Sequence, residues 1–176
     1  DGILIEDCYI HEVAFYGILF DYCKNCYVNY SKIESVGYAG VATLSSDNVH
    51  VDHCHIKDIT SDYINEYGVF FSALNAGTNP RSQYCSVTNC LIEDVTTWEG
   101  IDTHGGKAIK IDNNVIKGCL VGIVLKMRPS SGAAVDAATD CIATNNTIYG
   151  GGSVGIYIQG QAAAYAENNI IKGNTL

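Results

Sequence analysis

The sequence predicts an all-β solenoid, a stack of short strands coiled one above another. Three observations carry that expectation. Six segments open on glycine and then alternate: "GILF" at 17, "GVAT" at 40, "GVFF" at 68, "GIDT" at 100, "GIVL" at 122 and "GIYI" at 155. A second pattern recurs seven times, each copy placing a small polar or thiol residue before an aliphatic two positions on. Aligned on that small residue, the column reads Cys8, Ser31, Cys54, Cys90, Asn114, Asn146, Asn169, with steps of 23, 23, 36, 24, 32 and 23 residues. Self-similarity at a period of 20 to 50 residues is the mark of a repeat architecture. A β-sandwich would also show strands recurring every 8–12 residues or so, but it gives no reason for one in-register column.

The elements follow in order. "ILIEDCYI" (3–10) and "GILF" make the first coil, "YVNYSKI" (27–33) and "GVAT" the second, "VHVDHCHI" (49–56) and "GVFF" the third. "CSVTNCLI" (85–92) leads to "GIDT", "AIKIDNNVI" (108–116) to "GIVL", "CIATNNTI" (141–148) to "GIYI", and "AYAENNII" (164–171) opens a seventh coil. Each copy holds apolar residues two apart, the period of a strand with one buried face. The composition agrees: 18 glycines against 2 prolines, with Asn and Gly at the expected turns. Longer steps mark insertions at 60–67 ("TSDYINEY"), 74–84 ("LNAGTNPRSQY") and 126–140 ("KMRPSSGAAVDAATD").

This pattern resembles the right-handed parallel β-helix of the pectate-lyase-like superfamily, in the form found in bacteriophage tailspike and appendage depolymerases. The resemblance covers the whole chain and is most specific at Asn114, Asn146 and Asn169. It implies a stack of about seven coils, a single β-helix domain over 1–176, and an internal asparagine ladder at the turn between the second and third strands. Cys and Ser stand in the ladder position of the first four coils, a departure that keeps the site small. The chain is expected to be the central part of a longer protein, lacking end caps of its own, with further domains capping both ends and a homotrimeric assembly.

Eight cysteines would ordinarily suggest a disulfide framework. The register instead places Cys26, Cys85 and Cys141 in one inward column with Ile3, Val49, Ile109 and Ala164. It places Cys8, Cys54 and Cys90 in the ladder, and Cys119 with Val13, Val36, Ile59 and Val95. Seven of the eight therefore read as buried small hydrophobes and free thiols, which points to folding in a reducing compartment. The net charge of 10 − 19 = −9 argues against nucleic acid as a partner. No run of about 18 apolar residues predicts a membrane span.

The candidate site is "GIDTHGG" (100–106), which lies between two insertions. Residues i and i+2 of a strand share a face, so Asp102 and His104 are expected to point outward together. Two positions after each glycine stand Leu19, Ala42, Phe70, Asp102, Val124 and Tyr157; four after stand Asp21, Leu44, Ser72, His104, Lys126 and Gln159. Apolar neighbours should raise the Asp102 pKa, with Lys126 opposing. A raised carboxyl can serve as general acid toward a glycosidic oxygen, and Glu99 or Glu66 is the candidate second carboxylate. Phe70, Trp98 and Tyr157 offer faces for sugar rings. Lys126 and Arg128 could hold an anionic substituent, and Ser72 lies beside His104. The solvated-surface reading competes with function for each of these residues, and most closely for Glu66, Glu99 and Arg128. Trp98 reads equally as a turn anchor.

The resemblance puts the substrate groove of such proteins on the outer face of the first strand, the face these insertions decorate. The expected function is binding and cleavage of a bacterial surface polysaccharide by a hydrolase or lyase. The alternatives are a non-catalytic glycan-binding rod, a teichoic-acid phosphodiesterase and a secreted polysaccharide lyase. No cofactor or metal is expected, calcium being the open alternative. The expected location is a virion tail or appendage, or else the extracellular medium.

Overall fold

The computed structural model describes residues 1–60, 65–75, 78–128, 136–162 and 164–176. Every regular element among them is a strand. Three parallel sheets run the length of a rod; each of the first six coils contributes one strand to each, and the seventh adds a strand to the first sheet alone. Sheet A joins β1 (Leu4–Glu6), β4 (Lys24–Asn29), β7 (Asp47–Asp52), β10 (Ser86–Thr88), β13 (Lys110–Asp112), β16 (Ile142–Thr144) and β19 (Ile170–Lys172). Sheet B joins β2 (Tyr9–Val13), β5 (Lys32–Val36), β8 (His55–Ile59), β11 (Leu91–Glu93), β14 (Val115–Lys117) and β17 (Thr147–Tyr149). Sheet C joins β3 (Tyr16–Asp21), β6 (Ala39–Leu44), β9 (Tyr67–Ser72), β12 (Glu99–Asp102), β15 (Val121–Lys126) and β18 (Val154–Gln159).

Aliphatic columns fill the interior. Ile33, Ile56, Ile92 and Ile116 stack from sheet B, and Val41, Val69, Ile101 and Ile123 from sheet C. All are fully buried, each contributing on the order of 1.5–3 kcal/mol of apolar burial. The glycines that open sheet C answer a packing demand. A Cβ on Gly68 would lie 2.5 Å from the Gly100 carbonyl oxygen, and one on Gly100 would lie 2.8 Å from that of Gly122. The corner after each sheet A strand takes a left-handed residue: Asp7, Tyr30, His53, Asn89, Asn113, Asn145 and Gly173. Asn, Asp and Gly tolerate that conformation best.

The ladder forms with one correction. Asn114 donates through Nδ2 to Asn146 Oδ1 at 2.9 Å, and Asn146 donates to Asn174 Oδ1 at 2.9 Å. Asn169 sits one corner earlier, accepting from the Cys141 N–H at 2.9 Å, so it and not Ala164 continues the Cys26–Cys85–Cys141 column. Two asparagines five residues apart flank β19, and it is Asn174, not Asn169, that continues the ladder. All eight cysteines are free thiols. Cys26, Cys54, Cys85, Cys90, Cys119 and Cys141 are buried, whereas Cys8 is exposed although its N–H bonds Ser31 in the expected column.

Candidate active site on the outer face of sheet C

The outward column of sheet C runs Leu19, Ala42, Phe70, Asp102, Val124 and Tyr157, as the glycine alignment implies. The strand differs from expectation at its end. β12 stops at Asp102, and His104 occupies a turn with φ of 39°. The turn closes through a Gly106 N–H to Thr103 carbonyl bond and docks on β15 through Gly105 N–H to Lys126 carbonyl. Asp102 Oδ1 accepts the His104 backbone N–H at 2.7 Å, and Oδ2 lies 2.7 Å from Nδ1 of the same ring. The carboxylate thus folds the imidazole back over itself, and the pair meets without a shared strand.

Glu99 joins them from the other end of β12. Strict alternation over three positions would place Glu99 and Asp102 on opposite faces. Gly100 and Ile101 both turn inward, however, and Glu99 shares the outer face. Lys126 Nζ bridges the two acids, 2.7 and 2.8 Å from the Glu99 oxygens and 3.2 Å from Asp102 Oδ2. The Lys126 ammonium lies 5.6 Å from the Trp98 ring centre and 5.9 Å from that of Tyr67, within range of cation–π attraction.

The electrostatics reverse the expected roles of the acids. Burial pushes the Asp102 carboxyl up, but His104, Lys126 and Glu99 outweigh burial and hold it below the ordinary value. Glu99 is the carboxyl that rises, to about 8, driven by burial, by the Asp102 charge and by a hydrogen bond with Asp102, against the pull of Lys126. Two acids in one dry site cannot both ionise freely, and the one with fewer donors keeps the proton. Burial alone would lower Lys126, yet Asp102 and Glu99 hold it above its ordinary value.

The remaining candidates divide. Phe70 packs into a ring cluster with Tyr67 at 4.8 Å and Tyr38 at 6.2 Å between centroids, and lies 6.5 Å from the His104 ring. Arg128 donates to Ser72 Oγ at 2.9 Å and to the Leu74 carbonyl at 3.3 Å. Ser72 thereby serves as an anchor for the guanidinium, with its hydroxyl turned to the Ala73 carbonyl. Glu66 is buried beside β12. Its carbonyl accepts the Glu99 N–H at 3.0 Å and its carboxylate the Thr97 N–H at 3.3 Å, an arrangement that fixes the turn. Tyr157 is exposed beyond Val124, two coils from Asp102. Parts of all three insertions (61–64, 76–77 and 129–135) lie outside the described residues. Sequence reasoning missed Tyr67 and Tyr38. The position before each glycine reads Tyr16, Ala39, Tyr67, Glu99, Val121 and Val154, and that outward column carried the signal for Tyr67; Tyr38 lies one residue ahead of it. Among the described residues, no group of three or more His, Cys, Asp or Glu side chains could hold a metal ion.

The model of the right handed beta helix region matches residues 1–131 and 74–176, together the whole chain, and the protein belongs to that family. Among solved structures, the chain is similar to the tailspike protein of E. coli bacteriophage HK620 in complex with a pentasaccharide. Identity is 14%, the TM-score 0.70, and the match covers 96% of this chain and 32% of that one. It is also similar to the A-module of mannuronan C-5 epimerase AlgE4 of Azotobacter vinelandii, at 14% identity and a TM-score of 0.57, covering 98% and 54%. The chain thus spans about a third of the tailspike and half of the epimerase module. At these identities the likeness is one of fold. No curated protein matches the sequence.

Proposed function

We propose that this β-helix binds a bacterial surface polysaccharide along the outer face of sheet C and cleaves it at the Glu99–Asp102–His104–Lys126 cluster. One observation carries the reading: a buried, internally neutralised set of acid, base and cation opens to solvent chiefly through His104. Side-chain exposure is 22% for His104, 11% for Lys126, 5% for Glu99 and 0% for Asp102. Asp102 holds the proton on Nδ1, which leaves Nε2 as the nitrogen that faces substrate. The fold likeness to a tailspike solved with a pentasaccharide and to polysaccharide epimerase modules supports a glycan ligand. A place on a virion tail or appendage fits the same likeness.

The spacing of the acids favours elimination over hydrolysis. A glycosidase needs two carboxyls about 5–9.5 Å apart, flanking the bond. Glu99 and Asp102 converge on one ammonium, Lys126 Nζ, at 2.7 to 3.2 Å, and so stand together rather than flanking a bond. In the elimination reading, His104 Nε2 takes the proton on the carbon beside a uronate carboxylate. A C=C bond forms, the C–O bond to the leaving sugar breaks with its electron pair, and Lys126 protonates the departing oxygen. Protonated Glu99 resupplies Lys126, and Arg128 pairs with the uronate. The test is product release from host polysaccharide by the parent, Asp102→Asn and His104→Ala, read both as reducing ends and as ultraviolet absorbance of the new double bond. Each substitution should slow release by at least about 100-fold, the low end for general acid–base catalysis. Equal rates would place the chemistry elsewhere, and reducing ends without absorbance would mean hydrolysis.

A further inference from the structure

A second face of the rod carries a polar slot that the sheet C site does not use. It is an open depression of ≈ 480 Å³ on the outer face of sheet A. Two outward columns form it. One reads Tyr27, His50, Ser86, Lys110, and the other Asn29, Asp52, Thr88, Asp112. The β10 coil contributes only the short Ser86 and Thr88, whereas its neighbours contribute the His50 ring and Asp52 on one side, Lys110 and Asp112 on the other. Neighbouring strands are about 4.8 Å apart. The backbones of β7 and β13 are therefore about 9.6 Å apart, and the short Ser86 and Thr88 floor the recess that remains between the His50 ring, which leans onto Ser86, and Lys110, a width suited to the edge of one pyranose ring.

The slot is prearranged. His50 is fixed by Ser86 Oγ at 2.7 Å from Nδ1 and by Asn48 Oδ1 at 2.8 Å from Nε2. Its ring lies against Tyr27, tilted by 30° with centroids 5.2 Å apart, which backs it on the side away from Ser86. Asp52 accepts from Thr88 Oγ1 at 2.6 Å and Asn89 Nδ2 at 2.7 Å; Asp112 accepts from Thr144 Oγ1 at 2.6 Å and Asn145 Nδ2 at 3.0 Å. These donors hold both carboxyls below their ordinary range against the effect of burial, so both are anions at neutral pH. The second oxygens are partly engaged, Asp52 Oδ2 lying 2.7 Å from His53 Nδ1 and Asp112 Oδ2 3.2 Å from Lys110 Nζ, which leaves each carboxylate one lone pair for a sugar hydroxyl. The two stand two coils apart, too far to share one cation. With two carboxylates against the Lys110 ammonium, the slot repels a uronate.

We propose that this slot is a second glycan-binding site, taking one neutral or amino-sugar pyranose unit edge-on between His50 and Lys110. It is independent of the sheet C chemistry and shares with that reading only the expectation of a polysaccharide ligand. The test is amide shift perturbation in the ¹H–¹⁵N spectrum of the whole chain with methyl glycosides of N-acetylglucosamine, galactose and rhamnose, and with galacturonate as the anionic contrast. At least one neutral glycoside should move the Ser86, Thr88 and Asn89 amides, while galacturonate leaves them in place. Ser86→Tyr, which fills the gap, should abolish the shifts. Asp52→Asn, which keeps the shape, should weaken binding at least about 10-fold, the loss of a charge-assisted bond. His104→Ala should leave the slot response unchanged even where polysaccharide cleavage fails. No neutral glycoside moving those amides, or an Asp52→Asn variant binding like the parent, would overturn the proposal.

Discussion

Lys126→Met removes the one cation that both buried acids share while keeping the length of the side chain. In the parent, Nζ makes contacts of 2.7, 2.8 and 3.2 Å to Glu99 and Asp102. Breaking a buried pair by deleting one partner costs about 3–5 kcal/mol. For a domain of this size, 1 kcal/mol moves the melting midpoint by roughly 2–4 °C, so the variant should lose roughly 6–20 °C. The loss should also depend on pH. The folded-state pKa of Glu99 is raised from 4.5 to about 8, so the folded state holds a proton that the unfolded chain has released. Stability therefore falls as pH rises through that window. Lys126 pulls the Glu99 pKa down, so without it Glu99 keeps its proton to higher pH and the variant goes on losing stability above about 8, where the loss in the parent has ended; near 5 Glu99 is protonated in both, and Asp102 retains His104 throughout. The assay is thermal unfolding of parent and variant at the two ends of that window, with Lys126→Met/Glu99→Gln as a partner that removes the second charge. The difference should be larger at the alkaline end, and the double variant should recover part of it. A midpoint unchanged at both ends, or a larger loss at the acid end, would refute the coupled-acid description.

Asn146→Leu should cost at least about 3 kcal/mol and appear as a lowered melting midpoint. It removes the acceptor of the Asn114 N–H and of one Asn114 Nδ2 proton, and the side-chain donor to the Ile111 carbonyl, each loss worth about 1–3 kcal/mol. Thr103→Val should raise the midpoint, because the fully buried Thr103 hydroxyl has no hydrogen-bond partner among the described residues. Gly68→Ala should fail to give a stable rod, or give one with a sharply lowered midpoint, because its Cβ would meet the Gly100 carbonyl oxygen at 2.5 Å; limited proteolysis reads this directly.

The fold was legible because a solenoid repeats its constraints. The glycine that sheet C requires, the aliphatics beneath it and the corner residue recur in each coil, so chance matches are averaged out. The one slip, Asn169 for Asn174, came at the seventh coil, where two asparagine turns stand close together and no further repeat arbitrates. The site was legible as an address but less so as chemistry. Asp102, His104 and Lys126 could be placed on one face from period alone. Glu99 could be named as a second carboxylate but not placed beside Asp102, because alternation does not foresee that Gly100 and Ile101 both turn inward. The pKa assignment went the other way for a related reason. Apolar column neighbours were visible in the sequence, but the folded-back His104 ring, which gives Asp102 its two donors, depends on a left-handed turn at that residue.

Within the sheet C site Glu99 holds the proton and Asp102 the charge. The most direct measurement is polysaccharide cleavage against pH for the parent and for Glu99→Gln, which keeps the shape of the acid but cannot give up a proton. The parent rate should fall as pH rises through about 8, and Glu99→Gln should be slower by at least about 100-fold, with that alkaline limb gone. A Glu99→Gln variant that cleaves at the parent rate with the same alkaline limb would contradict the assignment.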